Sequence, residues 1–240
     1  MFEPRTYRHW IKGDDLVATV VTVKETDLYI RATKKMEAEA KASILKYRAD
    51  LEQYIKATPQ FLAALNPIEV SADAPAIVID MAKAASKCGV GPMAAVAGAM
   101  SEYVGNDLLA NSDEVIIENG GDLFLKVLTK KYIGIYAGDS VLSGKLALEV
   151  LPDETPLGIC TSSGTVGHSL SYGTADAVIA VSKSTALADA AATAIGNMIK
   201  SSNDINAAVE FAQSVDGING IVIIKGADMG AWGQVRLAKA

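Results

Sequence analysis

Two cysteines in 240 residues, Cys88 and Cys160, are too few and too far apart for a disulfide framework or a zinc centre. Both read as buried small hydrophobes. Basic residues are also scarce: 22 Lys and Arg stand against 28 Asp and Glu, giving a net charge of −6, and no basic cluster is interleaved with aromatics. Nucleic acid is therefore not an expected partner, since a polyanion is held mainly by clustered cations. A small anionic ligand remains possible, because local N–H groups or a metal ion can hold it against an acidic background. Half of the chain is hydrophobic, yet no uninterrupted apolar run reaches the ~18 residues that a bilayer span needs, and no membrane association is expected. The start, MFEPRTYRHW, lacks the apolar centre of a signal peptide, so a cytoplasmic location is the expectation. His9 in that stretch reads as a surface residue.

The apolar patterning changes period along the chain. Residues 16–23 and 28–32 are rich in β-branched and aromatic side chains around a polar break, which predicts an opening hairpin. Over 34–58 the side chains of Ile44, Tyr47, Leu51, Tyr54 and Ile55 share one helical face, with Glu37 four before Lys41. Thr58-Pro59 reads as the N-cap and first position of a short helix ending at Asn66-Pro67. A helix over 75–88 follows, with Asp73 near its start and Gly89 as its left-handed stop, then an alanine-rich helix over 92–109. Short strands are predicted at 114–118, 123–128, 133–136, 146–151 and 157–160, and the turn-like links between them favour an antiparallel meander. A strand at 177–181, a helix carrying Asp189, a helix over 204–215 and strands at 221–224 and 233–237 complete an α+β architecture.

Within this frame one polar stretch, Thr161-Ser162-Ser163-Gly164-Thr165-Val166-Gly167-His168-Ser169, offers N–H groups and hydroxyls with little side-chain bulk, as a phosphate or pyrophosphate requires. Asp189 and Thr193 stand four apart, so a helix places both on one face among alanines, a pair suited to an oxygen-seeking cation such as Mg²⁺. The bland alternative is an aspartate near a helix start and a threonine bonded back to its own helix. Asn119-Gly120-Gly121-Asp122 is explained by a tight hairpin, or by a turn that lets a ligand lie against bare backbone. Glu102 lies four after Gly98 and would stand near anything that glycine admits; otherwise it is a solvated helix carboxylate. His168 is a candidate general base or phosphate contact, or a surface imidazole, and Cys160 with His168 could form a thiol and base pair.

A faint internal echo accompanies these motifs. Met93-Ala94-Ala95-Val96-Ala97-Gly98-Ala99-Met100 is similar to Ala191-Ala192-Thr193-Ala194-Ile195-Gly196-Asn197-Met198, and each stretch precedes a strand that ends in a glycine turn. The chain is thus expected to be one compact domain over 1–240, with an internal duplication at about 70–150 and 155–240.

The order of these segments resembles the ApbE family, the FAD:protein FMN transferases, over roughly the C-terminal two-thirds of the chain. That family moves the FMN half of FAD onto a threonine or serine of a target flavoprotein with Mg²⁺. The resemblance rests on Gly98 and Glu102, then Asn119-Gly120-Gly121-Asp122, then Thr161-Ser162-Ser163-Gly164, then Asp189 and Thr193, in that order. It implies two tunnelling-fold-like halves, Asp189 and Thr193 as metal ligands, and Gly98, Glu102, Asn119, Gly120, Gly121, Asp122, Thr161, Ser162, Ser163 and Gly164 as flavin-nucleotide contacts. Two positions depart from the family pattern: His168 is followed by Ser169-Leu170-Ser171, without the family's aspartate and proline, and Ala97 stands where a lysine is usual. The expected function is Mg-dependent FAD binding with FMN transfer to a protein acceptor, His168 serving as base. A non-catalytic flavin or nucleotide binder, and an oligomeric structural protein packed through its small-residue helices, are the alternatives.

Overall fold

The computed structural model of the protein describes residues 11–12, 16–166 and 171–240. An eight-stranded antiparallel sheet forms its centre, made of β2 (Val17–Val23), β3 (Thr26–Ala32), β4 (Val115–Asn119), β5 (Asp122–Lys126), β8 (Leu157–Ser162), β9 (Ala177–Ser182), β10 (Ile218–Lys225) and β11 (Asp228–Gly233). Their order across the sheet is β11-β10-β9-β8-β5-β4-β3-β2. A smaller sheet of β1 (Ile11–Lys12), β6 (Lys131–Gly134), β7 (Leu146–Val150) and β12 (Arg236–Lys239) packs on one face. Helices α1 (Glu37–Ala57), α2 (Gln60–Ala63), α3 (Ala76–Cys88), α4 (Val96–Leu108), α5 (Thr185–Met198) and α6 (Ile205–Ser214) make up the helical side. The fold is α+β with antiparallel pairing throughout the described strands, and among the described residues no helix is long and apolar enough to cross a membrane.

Because both faces of the large sheet are covered, its central strands carry apolar residues at consecutive positions, and the pleat sends them alternately to two cores. Val178, Ala180, Ile221 and Ile223 point to the helices, while Ile179, Val181, Val222 and Ile224 meet Ile133, Leu148 and Val150 of the small sheet. The chain lays down β2–β5 and β8–β11 as two successive blocks, each interrupted midway by helices, and the blocks join at the β5·β8 pair.

Most boundaries follow the sequence pattern, and the departures have local causes. The stretch read as one strand at 233–237 is two: Gly233, at φ 83°, ends β11, and the chain crosses to the small sheet as β12. Thr58 makes no side-chain cap; its carbonyl accepts from the Phe61 amide at 3.0 Å, and α2 begins after Pro59. Asp73 accepts from Ser71, and α3 starts without a side-chain cap. Glu37 pairs with Lys35 at 2.8 Å. Gly89 is the left-handed stop of α3, at φ 69°.

Candidate functional site

Helices α4 and α5 meet at Gly98. A Cβ there would strike the Thr185 carbonyl oxygen and stand 2.8 Å from the Asp189 Cβ, so only glycine permits so close a crossing. The approach brings Asp189 to the first turn of α4, where the Gly98 amide donates to Oδ2 at 2.9 Å. On the other side of the crossing, Oε2 of Glu102 accepts from the amides of Thr185 at 2.7 Å and Ala186 at 3.2 Å, and from the Ser184 hydroxyl at 3.4 Å. Both carboxylates therefore serve N–H groups that an α-helix leaves without internal partners.

The β4–β5 hairpin closes against the same end of α4. Asn119 pairs with Asp122 across a two-residue turn whose glycines, Gly120 and Gly121, have φ of 66° and 106°, as a type I′ hairpin demands. Asn119 Nδ2 donates to the Ala97 carbonyl at 3.1 Å, and the Ser101 hydroxyl donates to the Asp122 carbonyl at 3.3 Å. Asp122 in turn accepts from the Thr161 amide at 3.3 Å, which joins the hairpin to the end of β8. Ser162 reaches α5, its Oγ lying 3.2 Å from where a Cβ would stand on Gly196.

Burial gives this junction its electrostatic character. Desolvation lifts the Asp189 carboxyl to about 7 even though the Gly98 and Ala97 amides favour its charged form. Asp122 is pushed well above the usual carboxylate range, first by burial and then by the neighbouring charge of Asp189. Cys160, fully buried beside them, donates its thiol to the Thr185 carbonyl at 3.3 Å, and burial drives its pKa upward too. Burial likewise raises Glu102, against the opposing pull of the Ala186 and Thr185 amides. A cation bound near Asp122 and Asp189 would offset the cost of ionising them.

The structure thus brings together Gly98, Glu102, Asn119, Gly121, Asp122, Thr161, Ser162 and Asp189 at one junction, with Gly120 at the tip of the hairpin. Ser163 and Gly164 bond elsewhere. The Ser163 hydroxyl accepts from the Thr165 and Val166 amides at 3.1 and 3.0 Å, and the Gly164 amide donates to the Ala175 carbonyl at 2.9 Å. His168 lies outside the described residues. Thr193, one turn beyond Asp189, is partly exposed. Among the described residues no three His, Cys, Asp or Glu side chains converge on one point, so a cation held by Asp189 and Thr193 would take its remaining oxygen ligands from phosphate, backbone or water. The proposed donors, a carboxylate and a hydroxyl, suit a hard cation of that kind, while the nearby Cys160 thiol is bonded to the Thr185 carbonyl and its pKa is raised by burial.

A family model described as AbpE bacteria matches residues 8–230. The chain belongs to this ApbE-like family. It is 41% identical over 221 residues to a UPF0280 protein of Methanococcus aeolicus, covering 90% of this chain and 89% of that one. A UPF0280 protein of Methanocaldococcus jannaschii is also 41% identical over 221 residues, covering 90% of each chain. Among solved structures, a mutant of the flavin transferase ApbE from Vibrio cholerae superposes with a TM-score of 0.57 at 12% identity, over 92% of this chain and 97% of that one. The ApbE protein of Thermotoga maritima gives 0.53 at 12% identity, over 90% and 96%. At such identity these structures establish the fold that the ApbE-like chain shares with them.

Sequence reasoning overlooked two parts of this junction in the ApbE-like chain. Glu118, just before the hairpin, accepts from the Gly121 amide at 2.8 Å and pins the turn. A carboxylate directly after the apolar run at 115–117 and before the glycine turn was the available signal. Ala97, conspicuous only for the absence of a lysine, offers its carbonyl to Asn119, and no side-chain pattern announces a backbone acceptor.

Proposed function

We propose that this ApbE-like protein binds FAD together with Mg²⁺ and transfers the FMN moiety to a threonine or serine hydroxyl of a protein acceptor. The observation that carries the reading is the convergence of α4, the Asn119–Asp122 hairpin, the end of β8 and Asp189 of α5, in a chain with the ApbE fold. The pyrophosphate would lie between the Gly120-Gly121 turn and the 161–164 segment, where small side chains leave the backbone approachable, while Gly98 lets α5 bring Asp189 close. Asp189 and Thr193 would hold the cation, which supplies charge neutralisation at the pyrophosphate. In the transfer the acceptor oxygen forms a bond to the FMN phosphorus, the bond from that phosphorus to the bridging oxygen breaks, and AMP leaves with the electron pair. His168 would take the hydroxyl proton. Positioning and local electrostatics supply most of the rate in phosphoryl chemistry of this kind.

The core is read as duplicated at about 70–150 and 155–240, with the ligand held between halves at the α4·α5 crossing. The sheet's two successive blocks, β2–β5 and β8–β11, support a duplication, although the first block begins earlier in the chain than the half at 70–150. A cytoplasmic acceptor protein belongs to the same proposal.

The test is incubation of the purified protein with FAD, Mg²⁺ and a threonine-containing peptide. Release of AMP with flavinylation of the peptide supports transfer. Binding of FAD without any turnover leaves the non-catalytic reading, which the missing aspartate and proline after His168 favour.

A further inference from the structure

We infer that Glu102 is a positioning residue, acting on Asp189 and Thr193 through the first turn of α5 and not by touching the nucleotide. The inference rests on the reading of Asp189 and Thr193 as the cation's ligands.

One oxygen of Glu102 already accepts three donors, from Thr185, Ala186 and Ser184. The Ser184 hydroxyl takes the next amide, that of Leu187, at 3.3 Å. Together they satisfy the opening N–H groups of α5, and the carboxylate also lies at the positive end of that helix. Thr185 and Asp189 are one turn apart on α5, and Gly98 and Glu102 are one turn apart on α4. The four residues therefore form a closed figure: Glu102 binds the turn that begins at Thr185, and Asp189 binds the turn that contains Gly98. Sliding α5 by one residue along α4 shifts it about 1.5 Å and breaks both attachments at once. Gly98 sets where the helices can approach most closely, but the alanines around it add no directional contact, because apolar packing is non-directional. Glu102 supplies the direction that the alanines lack, and it does so on the element that carries both proposed cation ligands.

The test compares Glu102→Ala, Glu102→Gln and Glu102→Asp in the whole protein. Three quantities are read: amide hydrogen exchange at Thr185 and Ala186, affinity for Mn²⁺, and affinity for FAD without any divalent cation. In Glu102→Ala, exchange at the two amides should rise roughly tenfold or more. Mn²⁺ affinity should fall about tenfold, as is usual when the support of a metal ligand is removed. Cation-free FAD affinity should stay within about twofold, since no direct contact is lost. Glutamine keeps an acceptor of the same reach and should restore exchange protection and Mn²⁺ affinity. Aspartate is too short to reach the Thr185 amide and should behave as alanine does, which carries the test if Glu102→Ala does not fold. Weakened cation-free FAD binding, with protected amides and unchanged Mn²⁺ affinity, overturns the inference and makes Glu102 a nucleotide contact. Failure of the underlying site reading looks different: the wild-type protein itself then binds neither Mn²⁺ nor FAD, and the inference falls with it.

Discussion

Glu102 and Asp189 exchange helix ends: the first lies 2.7 Å from the Thr185 amide at the start of α5, and the second 2.9 Å from the Gly98 amide at the start of α4. Each carboxylate accepts from helix-start N–H groups on the opposite helix, so neither α4 nor α5 presents a fully capped N-terminus without the other. The arrangement ties together two segments more than eighty residues apart, separated by 83 and 91 positions in these two bonds. It also sets the walls of the junction that the hairpin and β8 complete.

The crossing depends on the absence of a side chain at residue 98. Gly98→Ala gains about 1 kcal/mol of helix propensity in isolation, but its methyl would meet the Thr185 carbonyl and the Asp189 Cβ. Forced apart, the helices should lose about 1–3 kcal/mol net. Urea denaturation with an unchanged slope and a lower midpoint is the expected result. Wild-type stability or better would show that the helices stand further apart than described.

Asp189 makes stability depend on pH near neutrality. Its carboxyl rises from the ordinary 3.8 to about 7 in the folded chain. The native state therefore binds a proton that the unfolded state has released, and stability falls as pH rises from about 4 to 7. Asp122, raised in the same direction by burial, adds to the trend. Asp189→Asn keeps an acceptor for the Gly98 amide but cannot ionise. Denaturation at pH 5 and pH 8 should show a flatter profile for this variant and greater stability than wild type at pH 8. Lower stability at both values would mean that the charged form is favoured in the folded state.

Cys160 separates the phosphoryl-transfer reading from a thiol one. Its sulfur is fully buried, bonded to the Thr185 carbonyl and raised in pKa, conditions that suppress the thiolate. Burial pushes Cys88 to about 12 as well. Neither cysteine should react with iodoacetamide at pH 8 in the native protein, and both should react in denaturant. Cys160→Ser should leave FAD binding and AMP release unchanged. Loss of turnover in a folded Cys160→Ser protein would favour the thiol and base pair.

Thr193 should matter to ligand binding and little to folding. It is partly exposed on α5, one turn from Asp189. Thr193→Ala should keep stability within about 0.5 kcal/mol and lower Mn²⁺ affinity about tenfold, as loss of an oxygen ligand implies. Unchanged Mn²⁺ affinity, measured by calorimetry, would remove Thr193 from the cation set.

The element order was legible because hydrophobic period distinguishes α1, α3 and α5 from the strands, and because Gly89 and the Asn119–Asp122 turn are strong local signals. The division into two sheets was not. Strands β5 and β6 are sequence neighbours with similar composition, and which layer each joins depends on partners at β8 and β7. Residues 233–237 misled for a related reason: the sequence is continuous where a positive φ at Gly233 breaks the strand. At the junction, the spacing of Asp189 and Thr193 and the glycines of the hairpin were visible as local patterns. The roles of Glu102 and Glu118 were hidden, because each depends on which backbone N–H group the fold brings to its carboxylate.

The most direct test of the account is a crystal structure of the protein with FAD and Mg²⁺. The account predicts the pyrophosphate between the Asn119–Asp122 hairpin and the 161–164 segment, with the cation on Asp189 and Thr193. FAD bound elsewhere, or a cation that leaves Asp189 on the Gly98 amide alone, would contradict it.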